Sequence, residues 1–287
     1  MLPPVFGVIF DGFAYGMLLF LLSVGQSVTL GMMNFINLAH CAFAMLGGYI
    51  TVTLVNRYGW PFFVTLPLAF LVTAAVSVAF ERVLYRRLYR ASDLDQVLLT
   101  IGIAFISVAI AAYYFGTEQQ PLQLPAYLRE SMQFLGLRMS VYRLILVGIG
   151  IATTLILVGT LEYTRFGARV RASVDNQRMA SGLGINVERT FAYTFALGSG
   201  LAGMGGALAI EIVGLDPQFA FTYLVYVLIV VSVGGLGSIA GSFAAAAVLG
   251  ISDVAGKYYV PQIGAFLIYL VMISLLMWRP TGLFGRR

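Results

Sequence analysis

The chain alternates between long stretches without a single Asp, Glu, Lys or Arg and short stretches crowded with them. Seven charge-free runs stand out, at 12–56, 58–80, 96–117, 144–161, 190–210, 217–252 and 258–278. Five have the length of one bilayer-crossing helix, about 20 apolar residues. Run 12–56 would make a helix of about 67 Å at about 1.5 Å per residue, and run 217–252 is also too long for one span. Each is predicted to fold back or break inside the membrane. The first run is interrupted at Gly31-Met32-Met33-Asn34-Phe35-Ile36-Asn37-Leu38-Ala39-His40, the second at Gly234-Gly235-Leu236-Gly237-Ser238. Non-helical backbone at membrane depth persists only where protein or a watery cavity satisfies its polar groups. Two broken hydrophobic segments, one in each half, point to a transport path. The pattern predicts an all-α polytopic membrane protein of eight or nine transmembrane helices, nine by our count. It predicts two broken or re-entrant segments, around 31–40 and 234–238, within a single domain over 1–287.

Composition agrees. Hydrophobic residues make up 60% of the chain and charged residues 10%, against about 25% charged in soluble domains. This excludes a soluble globular protein, a disordered chain and a disulfide scaffold. One cysteine, Cys41, and one histidine, His40, exclude an internal disulfide and the usual zinc sites. No metal site or catalytic constellation is expected. The first eleven residues hold no Lys or Arg, so the basic start of a cleavable leader is missing and the first segment is expected to stay as a membrane helix.

The basic residues set the orientation. Arg82, Arg86, Arg87 and Arg90 fall in 81–95. Arg165, Arg169, Arg171, Arg178 and Arg189 fall in 162–189, and Arg279, Arg286 and Arg287 in the tail. These segments are expected to be cytoplasmic, the C-terminus with them. The net charge of +5 follows from such loops and calls for no nucleic-acid partner.

The 162–190 loop carries its own signals. Ser173 is read as an N-cap with Asp175 in the first turn, and Gly182 and Gly184 as terminators. Between them a helix of two to three turns is expected. A solvated basic loop and a docking knob for a cytoplasmic protein both fit.

Three stretches resemble the inner-membrane permease subunits of branched-chain amino acid ABC importers. Gly31 to Tyr49, centred on Ile36-Asn37-Leu38-Ala39-His40, is similar to the family's N-terminal signature. Asp175 to Asn186, with Arg189 and Thr194 to Gly198, is similar to its coupling loop and next helix. Gly234-Gly235-Leu236-Gly237-Ser238 with Gly241 is similar to a third signature, and Arg279-Pro280-Thr281-Gly282-Leu283-Phe284-Gly285 to a recurring ending. Leu38, Cys41 and Gly48 depart from the family's usual residues. The resemblance implies a bacterial inner-membrane protein working beside membrane lipid with a second homologous permease, two cytoplasmic ATPase subunits and a periplasmic solute-binding protein. It also implies that Asp175, Arg178, Met179, Ala180, Gly182, Leu183 and Gly184 form the ATPase-coupling loop. The chain has no G-x-x-x-x-G-K-[ST] loop, and its single lysine is Lys257. It therefore holds no cofactor of its own, and ATP-Mg is used by the partner ATPases.

Several side chains are candidates for the path or gate. Asn34, Asn37 and His40 recur at i, i+3 and i+6 and share one face, where polar groups turn to the bundle interior. They either meet the substrate or satisfy the broken backbone. Gln26, with Ser27 and Thr29, precedes the break, and the hydroxyls can instead bond their own helix. Gly235, Gly237 and Ser238 form the second break. Gly198, Ala202 and Gly206 make a small-residue face for close helix packing. Glu211, Asp216, Asp253 and Lys257 are read as rim residues, with Asp253 and Lys257 placed to pair at i, i+4. An ion-coupled secondary transporter is the alternative, disfavoured by the lack of mid-membrane carboxylates. An intramembrane serine protease is a third, disfavoured because Leu197 interrupts the Gly-x-Ser-Gly pattern around Ser199.

Overall fold

The computed structural model describes residues 4–33, 35–89, 91–134 and 137–285. Asn34, Arg90, Arg286 and Arg287 lie outside the described residues. The helices are α1 (Pro4–Met33), α2 (His40–Tyr58), α3 (Phe62–Val83), α4 (Asp93–Phe115), α5 (Ala126–Arg129), α6 (Val141–Tyr163), α7 (Arg165–Asp175), α8 (Gln177–Gly182), α9 (Val187–Val213), α10 (Phe219–Gly234), α11 (Ile239–Tyr259) and α12 (Gly264–Trp278). Six of them, α1, α3, α4, α6, α9 and α11, are long and apolar enough to cross a membrane. The apolar helices α10 and α12 are shorter.

Each of the two long hydrophobic runs breaks once. In the first, Gly31 to Met33 still belong to α1, and helix resumes at His40. The break is therefore shorter than the 31–40 expected, because nothing before Met33 disturbs the backbone ladder. In the second, the break spans 235–238, between α10 and α11. One feature departs from an all-helical chain. Ser131–Phe134 (β1) and Leu137–Ser140 (β2) pair as an antiparallel hairpin in register Ser131↔Ser140.

Helix starts are written locally. Ser92 caps α4 through a capping box with Asp95, whose backbone N–H it receives. Asn186 accepts from the Arg189 N–H at 2.9 Å to start α9, with Glu188 in the first turn where a carboxylate suits the helix dipole.

Helix α9 is the hub, packed against α1, α2 and α3. Its small-residue face permits this. A methyl group on Gly206 would lie 1.8 Å from the Ala44 carbonyl oxygen, and one on Gly25 of α1 would lie 2.1 Å from the Gly198 carbonyl oxygen. Backbones in such contact gain dispersion energy that lipid cannot supply. The peripheral helices show the reverse pattern. Leu98, Phe105, Ile106 and Ile110 on α4, with Leu155 and Ile156 on α6, are exposed. In a bilayer they face acyl chains, so their exposure carries no hydrophobic cost.

The bundle has two distinct ends. One gathers both breaks, the 3₁₀ turn Tyr85–Leu88, α7, α8 and the C-terminal tail. Gly31 abuts Gly237, Arg86 pairs with Glu188, and the Leu283 N–H donates to the Val233 carbonyl at 2.7 Å. The other end gathers the hairpin and the 116–125 and 214–218 connections, joined by the Gln120 N–H donating to the Leu215 carbonyl at 2.8 Å.

Candidate functional site

The first break is a buried loop whose backbone is satisfied almost entirely by side chains. The Ile36 N–H donates to Gln96 Oε1 at 3.0 Å and the Leu38 N–H to Thr100 Oγ1 at 3.1 Å, both from α4. Asn37, fully buried, accepts from the Ala39 N–H at 3.0 Å, while its own carbonyl accepts from the His40 N–H at 3.3 Å. Phe35 anchors the loop among the rings of Tyr85, Tyr89 and Phe195. The Tyr89 phenol donates to Glu81 at 2.8 Å; burial, then the neighbouring carboxylate, raises it above its ordinary range, so it stays a donor. Gln96 and Thr100 escaped the sequence reading. Their signal was an i, i+4 polar pair inside the otherwise apolar run 96–117.

His40 joins α2 to α1. Its Nε2 lies 3.0 Å from the carbonyl oxygen of Leu22, eleven residues before α1 ends. A carbonyl can only accept, so Nε2 carries the proton and Nδ1 is left as a bare acceptor. That Nδ1 has no partner among the described residues, nor do Asn37 Nδ2, Ser199 Oγ or either amide atom of Gln26. All four residues are fully buried. Thr29 bonds its own helix, at Gly25, as expected of a membrane hydroxyl; Ser27 instead meets the Ser242 hydroxyl of α11.

The second break turns on Gly235 (φ +93°) and Gly237 (φ +77°), conformations that favour glycine. Ser238 caps α11, accepting from the Gly241 N–H at 3.0 Å. The tail crosses this turn. Leu283 and Phe284 donate backbone N–H groups to the carbonyls of Val233 and Gly234. These groups at the end of α10 would otherwise lack partners.

The 162–190 loop is built differently from its sequence reading. Ser173 is not a cap. It lies inside α7, buried, its hydroxyl unpartnered among the described residues. Asp175 is the last residue of α7 rather than the start of the next helix. Asn176, in extended conformation, caps α8 by accepting from the Met179 N–H at 3.0 Å. Asn ranks with Ser as a cap, and here it occupies the bend where the first N–H groups are free. Helix α8 has six residues, under two turns, and Gly182 is its last; Gly184 (φ +81°) makes the reversal. Ala180 is buried against the bundle, whereas Met179 is 64% and Leu183 78% exposed. Arg178 and Arg189 are exposed beside them. The result is an anchored knob with an apolar tip and a basic rim.

A cavity of about 460 Å³ lies between this loop and the breaks. Asp175, Arg171 and Glu162 form one side, and Gly31, Gly237 and Ser238 the other. Residues that the sequence assigned separately to coupling and to the path therefore share one space. Asp253 departs from its rim assignment. It is 1% exposed, because α11 continues past it and packs it inward, and it pairs with Lys257 at 2.6 Å.

Residues 8–276 match the family model of the branched-chain amino acid transport system / permease component. The chain belongs to this family. It is 27% identical to a probable branched-chain amino acid transport permease protein LivH of Methanocaldococcus jannaschii, covering 94% of this chain and 90% of that one. It is 26% identical to the high-affinity branched-chain amino acid transport system permease protein LivH of Escherichia coli K12, over 96% and 94%. The permease protein LivM of the same organism is 23% identical, over 93% of this chain and 68% of that one. No solved structure matches. This Liv-type permease is thus a multi-pass membrane transport protein.

Proposed function

We propose that this chain is one permease subunit of an ABC importer for branched-chain or other hydrophobic amino acids in a bacterial inner membrane. It crosses nine times, counting α1, α2, α3, α4, α6, α9, α10, α11 and α12. The end holding α8 and the C-terminus faces the cytoplasm. Arg86, Arg87, Arg165, Arg169, Arg171, Arg178 and Arg279 all gather at that end, which supports the orientation. A second, homologous permease completes the path, in keeping with the two Escherichia coli permeases that this chain resembles. Two ATPases bind the cytoplasmic face and use ATP-Mg, one of them receiving α8 in a groove, and a periplasmic binding protein delivers the solute.

The observation that carries this reading is the cavity joining Asp175, immediately before α8, to Gly31 and the Gly237–Ser238 turn. Motion imposed on Met179 and Leu183 by an ATPase reaches the end of α1 and the second break through one short segment. Gln26, Asn37 and His40 then form the gate. Their unpartnered polar atoms each cost about 1–3 kcal/mol when buried, a cost relieved when the seam between α1, α2 and α9 opens to water or solute. The buried carboxylate of Asp253 favours the alternative, an ion-coupled carrier, but Lys257 already neutralises it.

The test is purification of the tagged chain from its native membrane with identification of the proteins retained. Two P-loop ATPases and a second permease are expected, with leucine uptake that requires ATP. A complex without ATPases, whose uptake follows a proton or sodium gradient, would overturn the reading.

A further inference from the structure

At the end of the bundle opposite α8, five helices enclose a pocket of about 290 Å³. Its wall holds Asp11 of α1, Arg143 of α6, and Asp253 and Lys257 of α11. These form two ion pairs, Arg143 with Asp11 and Lys257 with Asp253. Two positive and two negative charges cancel. Tyr15 lies under the Lys257 ammonium, 5.8 Å from ring centre to nitrogen. Ile212, Val213 and Val254 supply an apolar side.

Simple ion pairing does not account for this arrangement. Asp253 is buried, yet only its Oδ2 is engaged; Oδ1 has no partner among the described residues. A carboxylate buried with one oxygen bare lacks a donor. On the opposite side, the Lys257 ammonium has three donors and the Arg143 guanidinium five, more than the two carboxylates present consume. Beside the hydroxyls of Thr222, Tyr223 and Tyr226, the charged groups of the pocket thus leave one acceptor and several donors to spare. Helix ends reinforce this division. α9 and α11 end at the pocket, offering partial negative charge, and α6 and α10 begin there, offering partial positive charge. A lone cation or a lone anion would satisfy one half and leave the other. A molecule carrying both charges one carbon apart satisfies both. The volume is near the lower limit for ligand sites, about 300 Å³, which admits a small molecule and no peptide.

We propose that this pocket binds a free α-amino acid as its zwitterion. The ammonium sits on Asp253 Oδ1, the carboxylate on Arg143 and Lys257, and an aliphatic side chain on Ile212, Val213 and Val254. The assignment of the pocket to the outer, solute-receiving face rests on the proposed importer function; the binding chemistry does not. The site takes a solute from the delivering protein before the gate opens. No bond is made or broken.

The test uses the complex of permeases and ATPases in lipid nanodiscs, without the solute-binding protein. Equilibrium binding of radiolabelled L-leucine and the melting temperature are measured, with isocaproate (no ammonium) and isoamylamine (no carboxylate) as comparisons. Leucine is expected to bind and to raise the melting temperature, and neither half-molecule is. Asp253→Asn and Arg143→Gln should each weaken leucine binding about tenfold or more, as expected for loss of one charge-assisted contact. The melting temperature without ligand reports whether each variant folds. If Asp253→Asn does not, Lys257→Gln, altered at a half-exposed ammonium, decides. Leucine affinity unchanged in the folded variants would overturn the proposal. So would isoamylamine binding as tightly as leucine, or a complex that hydrolyses ATP but binds no leucine. Asp253-dependent leucine binding by a complex lacking ATPases would uphold the site and remove the importer reading.

Discussion

Gly31 and Gly237 touch backbone to backbone, so that a methyl group on Gly31 would lie 1.9 Å from the Cα of Gly237. More than 200 residues apart in the chain, they fasten the end of α1 to the turn between α10 and α11. The last turn of α1, just before the first interruption of the hydrophobic pattern, is therefore fixed to the second interruption, set beside the loop that carries α8.

Gly31→Ala is accordingly expected to lower the melting temperature and the yield of folded protein, since the obstacle is backbone and cannot swing aside. Gly102→Ala is the control. It lies in α4 with nothing within 4 Å of an added methyl, and it should be neutral or gain up to about 1 kcal/mol from helix propensity. Thermal melts of both in detergent give the comparison.

Gln96→Leu should destabilise the first break by about 1–3 kcal/mol, the cost of leaving a buried backbone N–H without its acceptor. Gln96→Glu, which keeps an oxygen in reach of Ile36, should retain more of that stability. Equal losses in the two variants would mean that packing, not the hydrogen bond, holds the loop.

Leu283→Pro removes the N–H that meets Val233 and should cost about 1 kcal/mol. Leu283→Ala keeps the bond and should separate the hydrogen bond from the side chain. Limited proteolysis of the tail in each variant reads the difference.

Met179→Ser combined with Leu183→Ser changes an exposed tip, so the chain's own stability should shift by less than about 0.5 kcal/mol. Retention of ATPases on the purified complex should fall sharply. Unaltered retention would remove α8 as the docking element.

Gln26→Leu replaces an amide that has no partner among the described residues. It should raise the melting temperature while slowing uptake, because it stabilises the closed seam at the expense of the open one. Faster uptake would contradict a gating role.

Much of the candidate site was legible. That each long run must break followed from run length against bilayer thickness, and that α9 packs closely followed from its spacing of small residues, though its partners did not. The i, i+4 pairing of Asp253 with Lys257 was equally visible. The cap of α8 is not legible in sequence because Ser173 and Asn176 are both good caps, and the choice depends on where α7 stops packing on α6 and α9. Gln96 and Thr100 were passed over because their partners lie about 60 residues away in the chain.

The sequence alone determined that this is a membrane bundle broken in two places, with most of its basic residues in three segments between or after the apolar runs. Those properties depend on counts along the chain: hydrophobic length, charge placement and helix-breaking residues. The tertiary structure decided that the end of α1 meets the second break and that the tail closes that break. It also decided that Asp253 is buried in a charged pocket rather than solvated at the rim. Contacts between distant residues depend on how helices cross, and helix crossing is set by packing surfaces that no single segment contains.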